Sequence, residues 1–320
     1  MSSSLTRTEW AARAQTHAER ADALTAAHRA RQQRGEKHPV EDFLFTYYSY
    51  KPAQLRRWHP GAGVTLQDAG ERAEWRWYSP GVEPGGHAPD AEAFRGEKPQ
   101  LASLVERMLR LTAARPGQFG CFGLHEWAMV YRTDEHRHAV PLRLGGAGTD
   151  AVVEAAELRC THFDAFRFFT DDAVPRNRVP LTRESQPDLE QPGCLHAGMD
   201  VYKWAVKLGP LVPGELLLDA FELASDIRRL DMEAAPYDLS AWGVRPVRIE
   251  TAEGKAEYVR RQRVFAERGN LLREALLTAW LGRDQRPSDG RDEPSSAGRA
   301  RRSSAPVATS GRLPAASAVA

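Results

Sequence analysis

Hydrophobic and polar positions follow a helical period over several long stretches of the chain. In residues 6–34, Trp10, Ala14, His17, Ala21, Leu24 and His28 recur at steps of four and three, a single narrow stripe. The stripe is weakly apolar. It predicts one long helix that packs on a body rather than a coiled coil, capped by Thr6 or Thr8 and ended by Gly35. Leu101, Leu104, Met108 and Leu111 predict an amphipathic helix over 99–114, stopped by Pro116-Gly117. Further helices are expected at about 194–208, 213–232 and 254–282.

A period of two is rarer. Residues 63–79 suggest a short hairpin, and 80–98, rich in Gly and Pro, read as a loop. Residues 140–144 and 246–250 read as strands. Residues 151–169 alternate, with Val152, Leu158, Cys160, His162, Asp164, Phe166 and Phe168 on one face and Arg159, Thr161 and Arg167 on the other. The fold class that follows is α+β: a mainly helical single domain over 1–282, with a long N-terminal helix and one small sheet containing 151–169. From 283 the chain is Arg-, Ser-, Ala- and Pro-rich without an aromatic residue, so 283–320 is expected to be a disordered tail. Arg299, Arg301 and Arg302 could form a weak polyanion-binding arm there.

Composition changes this picture only modestly. The chain has 320 residues, 42% hydrophobic and 27% charged, as expected of a soluble globular protein. No apolar run approaches the length of a membrane span, and the N-terminus has no apolar core of a secretory signal. A cytoplasmic protein with no membrane partner is expected. Three cysteines argue against a disulfide framework. The net charge of +1 is uneven: residues 7–37 and 283–320 each carry an excess of three positive charges, leaving an excess of five negative charges on the rest. A basic nucleic-acid face is therefore not evident from charge alone.

Three segments concentrate chemistry. They are Cys121-x3-His125-Glu126, Cys160-x-His162-x-Asp164 and Cys194-x-His196-x3-Asp200, which use every cysteine of the chain. A looser group is His38-x2-Glu41-Asp42. On a strand, His162 and Asp164 share a face; on a helix, His196 and Asp200 do, with Trp204 extending that face and Leu195, Met199, Tyr202 and Val206 opposite. A buried aspartate needs a partner, and most such His–carboxylate pairs merely complete hydrogen bonding in the core. The C-x-H spacings are too tight for a standard zinc clip, and H-E-x2-H is absent, so a bound metal is not favoured and its ligands are left open. Nucleotide-cradling glycine loops and a G-x-S-x-G nucleophile turn are also absent from the sequence. Tyr47, Tyr48 and Tyr50, followed by Lys51, Arg56, Arg57 and Trp58, interleave aromatics with cations as a flipped base and its phosphates require. The alternative is that these aromatics are core.

The phrases HPVEDFLFTYYSYKPAQLRRWHPG, FGCFGLHEWAMVYR, RCTHFDAFRFFT and EQPGCLHAGMDVYKW together resemble an actinobacterial family usually labelled 3-methyladenine DNA glycosylase, over about residues 8–280. A helix–hairpin–helix turn of the Leu-Pro-Gly-Val-Gly kind is not recognisable; Arg115-Pro116-Gly117-Gln118-Phe119-Gly120 places its second glycine one residue late. The resemblance implies excision of an alkylated purine from DNA, with damaged DNA as partner and no cofactor. That chemistry needs a carboxylate beside an oxocarbenium-like sugar. The candidates are Asp164 and Asp200, with His162 and His196 orienting them and Glu126 as an alternative. Tyr47, Tyr48 and Trp204 are stacking candidates, and His125 joins them in the substrate-binding set. The competing expectation is a small-molecule enzyme, metal-assisted or not, using the same groups; a non-catalytic protein whose pairs only hold the core is the third.

Overall fold

The computed structural model describes residues 3–81, 83–134 and 140–281. In chain order the elements are β1 (Ser3–Leu5), α1 (Arg7–Arg34), α2 (Phe43–Tyr47), α3 (Pro52–Leu55), β2 (Val64–Leu66), β3 (Tyr78–Pro80), β4 (His87–Pro89), α4 (Ala91–Glu97), α5 (Pro99–Ala114), α6 (Leu124–Ala128), α7 (Gly145–Glu154), α8 (Phe163–Phe166), α9 (Gln186–Leu189), α10 (Leu195–Leu208), α11 (Gly214–Glu233) and α12 (Ala252–Leu281), with short 3₁₀ turns between some of them. The architecture is α+β and mainly helical. No helix of the described residues is long and apolar enough to cross a membrane.

The long first helix starts where local chemistry dictates. Thr6 Oγ1 accepts from the Glu9 amide and Glu9 returns a bond to the Thr6 amide, a reciprocal cap on the first turn. Gly35 closes the helix at φ 71°. Trp10, His17 and Ala21 of the expected stripe are buried, joined by Ala18 and Thr25. The other long helices also lie within a few residues of their expected spans. Helix α10 is the centre of the molecule, packed on α11, α12 and α5. Its approach to α11 is close: a Cβ at Gly198 would stand 2.7 Å from Ile227 Cδ1. Burial of Leu195, Met199, Val201, Tyr202, Leu208, Leu218, Ile227 and Leu230 builds the core there, at about 25 cal/mol per Å² of apolar surface.

The sheet is elsewhere than expected. Its four strands run β1-β2-β4-β3, with β1 parallel to β2 and the other pairings antiparallel. The hairpin expected over 63–79 is not formed; β3 pairs instead with β4, inside the stretch read as a loop, which also holds α4. Residues 140–144 and 246–250 are not strands, the first making one isolated bridge, Leu142 to Tyr237. The alternating segment 151–169 begins as the end of α7, makes one bridge at Leu158, and then coils into the single turn of α8, where the Phe166 amide bonds the His162 carbonyl. Of the expected inward set, Leu158, Cys160, His162, Asp164 and Phe166 are buried, while Val152 and Phe168 are half-buried. Burial alternation specifies which side chains face in. Without a neighbouring strand to pair with, it does not specify an extended backbone. The tail expected over 283–320, with its arginines, lies outside the described residues.

Candidate functional site

A recess opens between α2, α6, α8, α10 and α11. Its walls are Phe43, Tyr47, Tyr48, Met129, Phe168 and Met199, and its polar floor is Glu126, Asp164, His196, Asp200 and Arg228. Each element has a local reason to deliver its residue. On α10, His196, Asp200 and Lys203 fall three and four apart and share one side. His162 sits in the extended residue ahead of α8, so its ring turns inward while Asp164 enters the first turn. Arg228 and Asp231 are three apart on α11.

On the outer side of the recess, Lys203 bridges the two aspartates. Its Nζ donates to Asp200 Oδ2 at 2.8 Å and to Asp164 Oδ2 at 3.1 Å. Arg183 donates to Asp164 Oδ1 at 2.6 Å, Arg167 Nε stands 3.6 Å from the same oxygen, and the Tyr48 hydroxyl donates to Asp200 Oδ1 at 3.2 Å. Burial works against the Asp164 charge, but Arg183 and Lys203 overcome it and hold its carboxyl well below the usual carboxylate range. Burial likewise opposes the Lys203 charge and Asp200 reverses the balance, so its ammonium holds its proton above the ordinary lysine range. Burial, then Asp200, pushes the Tyr48 hydroxyl well up, so it remains a donor.

Behind Asp200 lies His162, 1% exposed, with Nε2 3.8 Å from Asp200 Oδ2 and Nδ1 2.8 Å from Glu190 Oε1. That second contact is an ion pair rather than an aligned hydrogen bond. Burial resists a charged imidazole, yet Glu190 raises its pKa. On the inner side, His125 Nε2 donates to Asp231 Oδ1 at 2.8 Å. Arg228 Nη1 donates to Asp231 Oδ2 at 3.0 Å and to Glu126 Oε1 at 3.1 Å. The guanidinium also stacks on Phe43, 3.9 Å from the ring centre. Asp231 outweighs burial and raises His125 well above the ordinary histidine range.

His196 joins the two sides. Its ring lies edge-on to His125 at 4.4 Å between centroids and stacks on His162 at 5.3 Å. Burial lowers its pKa well below the ordinary value, and the neighbouring His125 charge lowers it further. His196 is therefore a neutral imidazole facing both the recess and a smaller cavity behind it.

Of the residues singled out from the sequence, Asp164, Asp200, His196, Glu126, Tyr47 and Tyr48 line the recess, and His162 supports it from below. His125 does not line it; it belongs to the inner cluster and the cavity beyond. Trp204 does not either. It is 5% exposed and packs in the core, with Lys203 Nζ 4.7 Å from its ring centre. Met199, placed opposite the His196–Asp200 face in the sequence reading, lines the recess. The looser group at 38–42 is a scaffold, with Asp42 paired to Arg31 at 2.6 Å and to His28 at 2.8 Å. Sequence reasoning missed Lys203, Arg183, Arg228, Asp231 and Glu190. Lys203 alone carried a local signal, three residues beyond Asp200 on a helix; the others arrive from distant segments.

Two donor triads have ligand atoms mutually within 4.8 Å: His125, His196 and Asp231, and His162, Asp164 and Asp200. Both already hold a cation, Arg228 on Asp231 and Lys203 on the two aspartates, so neither set carries spare negative charge for an ion. Compared with family models, with curated proteins and with solved structures, the chain matches none.

Proposed function

We propose that the protein is an N-glycosylase that excises an alkylated purine from DNA. The observation that carries the reading is the recess itself: aromatic walls over two aspartates, Asp164 being held ionised by cations, with two half-exposed guanidiniums at its edge. Arg167 and Arg183 both contact Asp164 and lie over Phe168 and Phe163, at 4.2 and 4.6 Å from the ring centres. Aromatic faces suit an extruded base, and exposed guanidiniums suit its flanking phosphates.

In this reading Asp200, assisted by Asp164, stabilises positive charge at the sugar C1′ as the bond to the base nitrogen breaks. An N3-alkylated purine is cationic, so it leaves as a neutral base by keeping the bonding electron pair and needs no strong acid. Water adds to C1′, and the Asp200 carboxylate accepts its proton. The products are a free alkylated base and an abasic site. Glu126, bonded to Arg228, closes the floor.

The reading is tested by release of alkylated purine from methylated duplex DNA by the intact chain, and by the Asp200→Asn and Asp164→Asn variants. Release by the intact protein and its loss in both variants supports it. No release at several salt concentrations overturns the glycosylase reading, and full release by both variants overturns the assigned residues. A small-molecule hydrolase is the second reading, favoured by the small size of the recess and the mutual closeness of the His and carboxylate donors.

A further inference from the structure

The recess uses the histidines and carboxylates of the three sequence motifs and none of their thiols. Cys121 precedes α6, Cys160 precedes α8, and Cys194 caps α10, yet all three line one cavity on the far side of His196, with His125 also in its wall. These are all the cysteines of a 320-residue chain. The cavity has room for about one water-sized sphere.

The Cys121–His125 contact is a hydrogen bond whose spacing also suits two ligands of one ion. His125 Nδ1 lies 3.8 Å from Cys121 Sγ, while Nε2 donates to Asp231. Around a tetrahedral zinc, with Zn–S of about 2.3 Å and Zn–N of about 2.1 Å, a sulfur and a nitrogen stand roughly 3.6 Å apart. A carboxylate on the other ring nitrogen is the usual support of a metal-binding histidine, because it fixes the tautomer and raises basicity. The loop that carries Cys194 is held rigidly against the Cys121 segment. Gln191 Oε1 accepts from the amides of Gln118 and Gly193 at 2.7 Å each, and Gln262 Nε2 donates to the Gly193 carbonyl at 2.6 Å. A Cβ at Gly193 would stand 2.3 Å from the Gln118 carbonyl oxygen, so this crossing needs glycine.

We propose that Cys121, Cys160, Cys194 and His125 form a closed thiolate–imidazole site for one soft divalent cation of the zinc class, tying together the three segments behind His196. The two triads with donors already within 4.8 Å contain no cysteine, and Cys160 Sγ donates to the His162 carbonyl at 3.5 Å, so binding requires Cys160 and Cys194 to turn towards the ion. The site holds whichever reaction the recess performs.

The test uses the full chain, reduced and stripped by chelator, with Co²⁺ as the probe. The expected result is one Co²⁺ per chain, with thiolate-to-cobalt charge-transfer absorption that Zn²⁺ abolishes. Zn²⁺ should also protect all three thiols of the wild-type chain from alkylation, a readout that needs no variant to fold. Cys121→Ser should remove most of the sulfur band, and Asp231→Asn should keep the band but weaken binding by about 10- to 100-fold. Cobalt binding without a sulfur band overturns the proposal in favour of an oxygen and nitrogen site. Absence of binding, or thiols equally reactive with and without Zn²⁺, overturns it outright.

Discussion

The clusters on the two sides of His196 are built from the same residue types, and they differ in depth. On the inner side Glu126, His125, Arg228 and Asp231 are each 4% exposed or less, and each charge meets its opposite within the set. On the outer side the aspartates are buried, but their cations come from the surface; the Arg183 side chain is 54% exposed. A fully buried, self-compensated set has no spare charge to offer a substrate, and losing one member strands another in a low-dielectric interior. An exposed guanidinium can exchange a carboxylate for a phosphate at little cost. The lesson is that access to water, rather than residue type, separates a scaffold from a site.

The sharpest way to break this comparison is at Arg228. Arg228→Met leaves Glu126 and Asp231 without their shared cation and should destabilise by about 3–5 kcal/mol in urea unfolding; a loss under about 1 kcal/mol would show that the inner set is not structural. Its pH dependence has a definite sign. The folded pKa of His125 is raised, so the stabilisation from its pair with Asp231 is full below the unfolded value of about 6.5 and is lost as pH rises through the higher folded value. Unfolding free energy of the chelator-stripped chain, measured across neutral to alkaline pH, should therefore fall in the wild type and flatten in Asp231→Asn.

The outer set should behave in reverse. Asp200→Asn should lower single-turnover base release by about 10²- to 10³-fold, with a stability change of about 1–3 kcal/mol from the altered hydrogen bonding. A variant that melts early but retains its rate would place Asp200 with the scaffold. A smaller effect is expected at Lys203. It helps to depress the Asp164 pKa, so the stability from that carboxylate is present above the unfolded value of about 3.9 and is lost only as pH falls towards the lower folded value. Lys203→Met should move this acid loss, and the acid limb of the rate profile, to higher pH. The smallest effect belongs to Arg183→Gln: stability within about 1 kcal/mol, weaker DNA binding, and a salt dependence of binding reduced by about one unit of slope. An unchanged slope would remove Arg183 from the phosphate-binding role.

Much of the helical frame was legible because capping and periodicity are local. Thr6, Glu9 and Gly35 specify the ends of α1 without help from the rest of the chain, and α5, α10, α11 and α12 carry apolar faces at helical spacing. The sheet was not legible. Its strands are three residues long, and their pairing joins Ser3–Leu5 to Val64–Leu66 across some sixty residues, a match no local pattern announces. In the candidate site, His162, Asp164, His196 and Asp200 could be seen as candidates from their spacing, but not their partners: Asp164 and Asp200 are held by Lys203, and His162 lies against Glu190, so the expected His162–Asp164 and His196–Asp200 pairs are not formed.

Burial and backbone hydrogen bonding act over a few residues, so local pattern marks the long helices and many of the inward groups, although it misplaces Trp204 and Met199. The partners of the inward groups come from packing alone. Arg228 meets Glu126 from 102 residues away, His125 meets Asp231 across 106, and the three cysteines line one cavity from three segments. Charge compensation and ligand geometry depend on distances through space, and those exist only once the chain has packed.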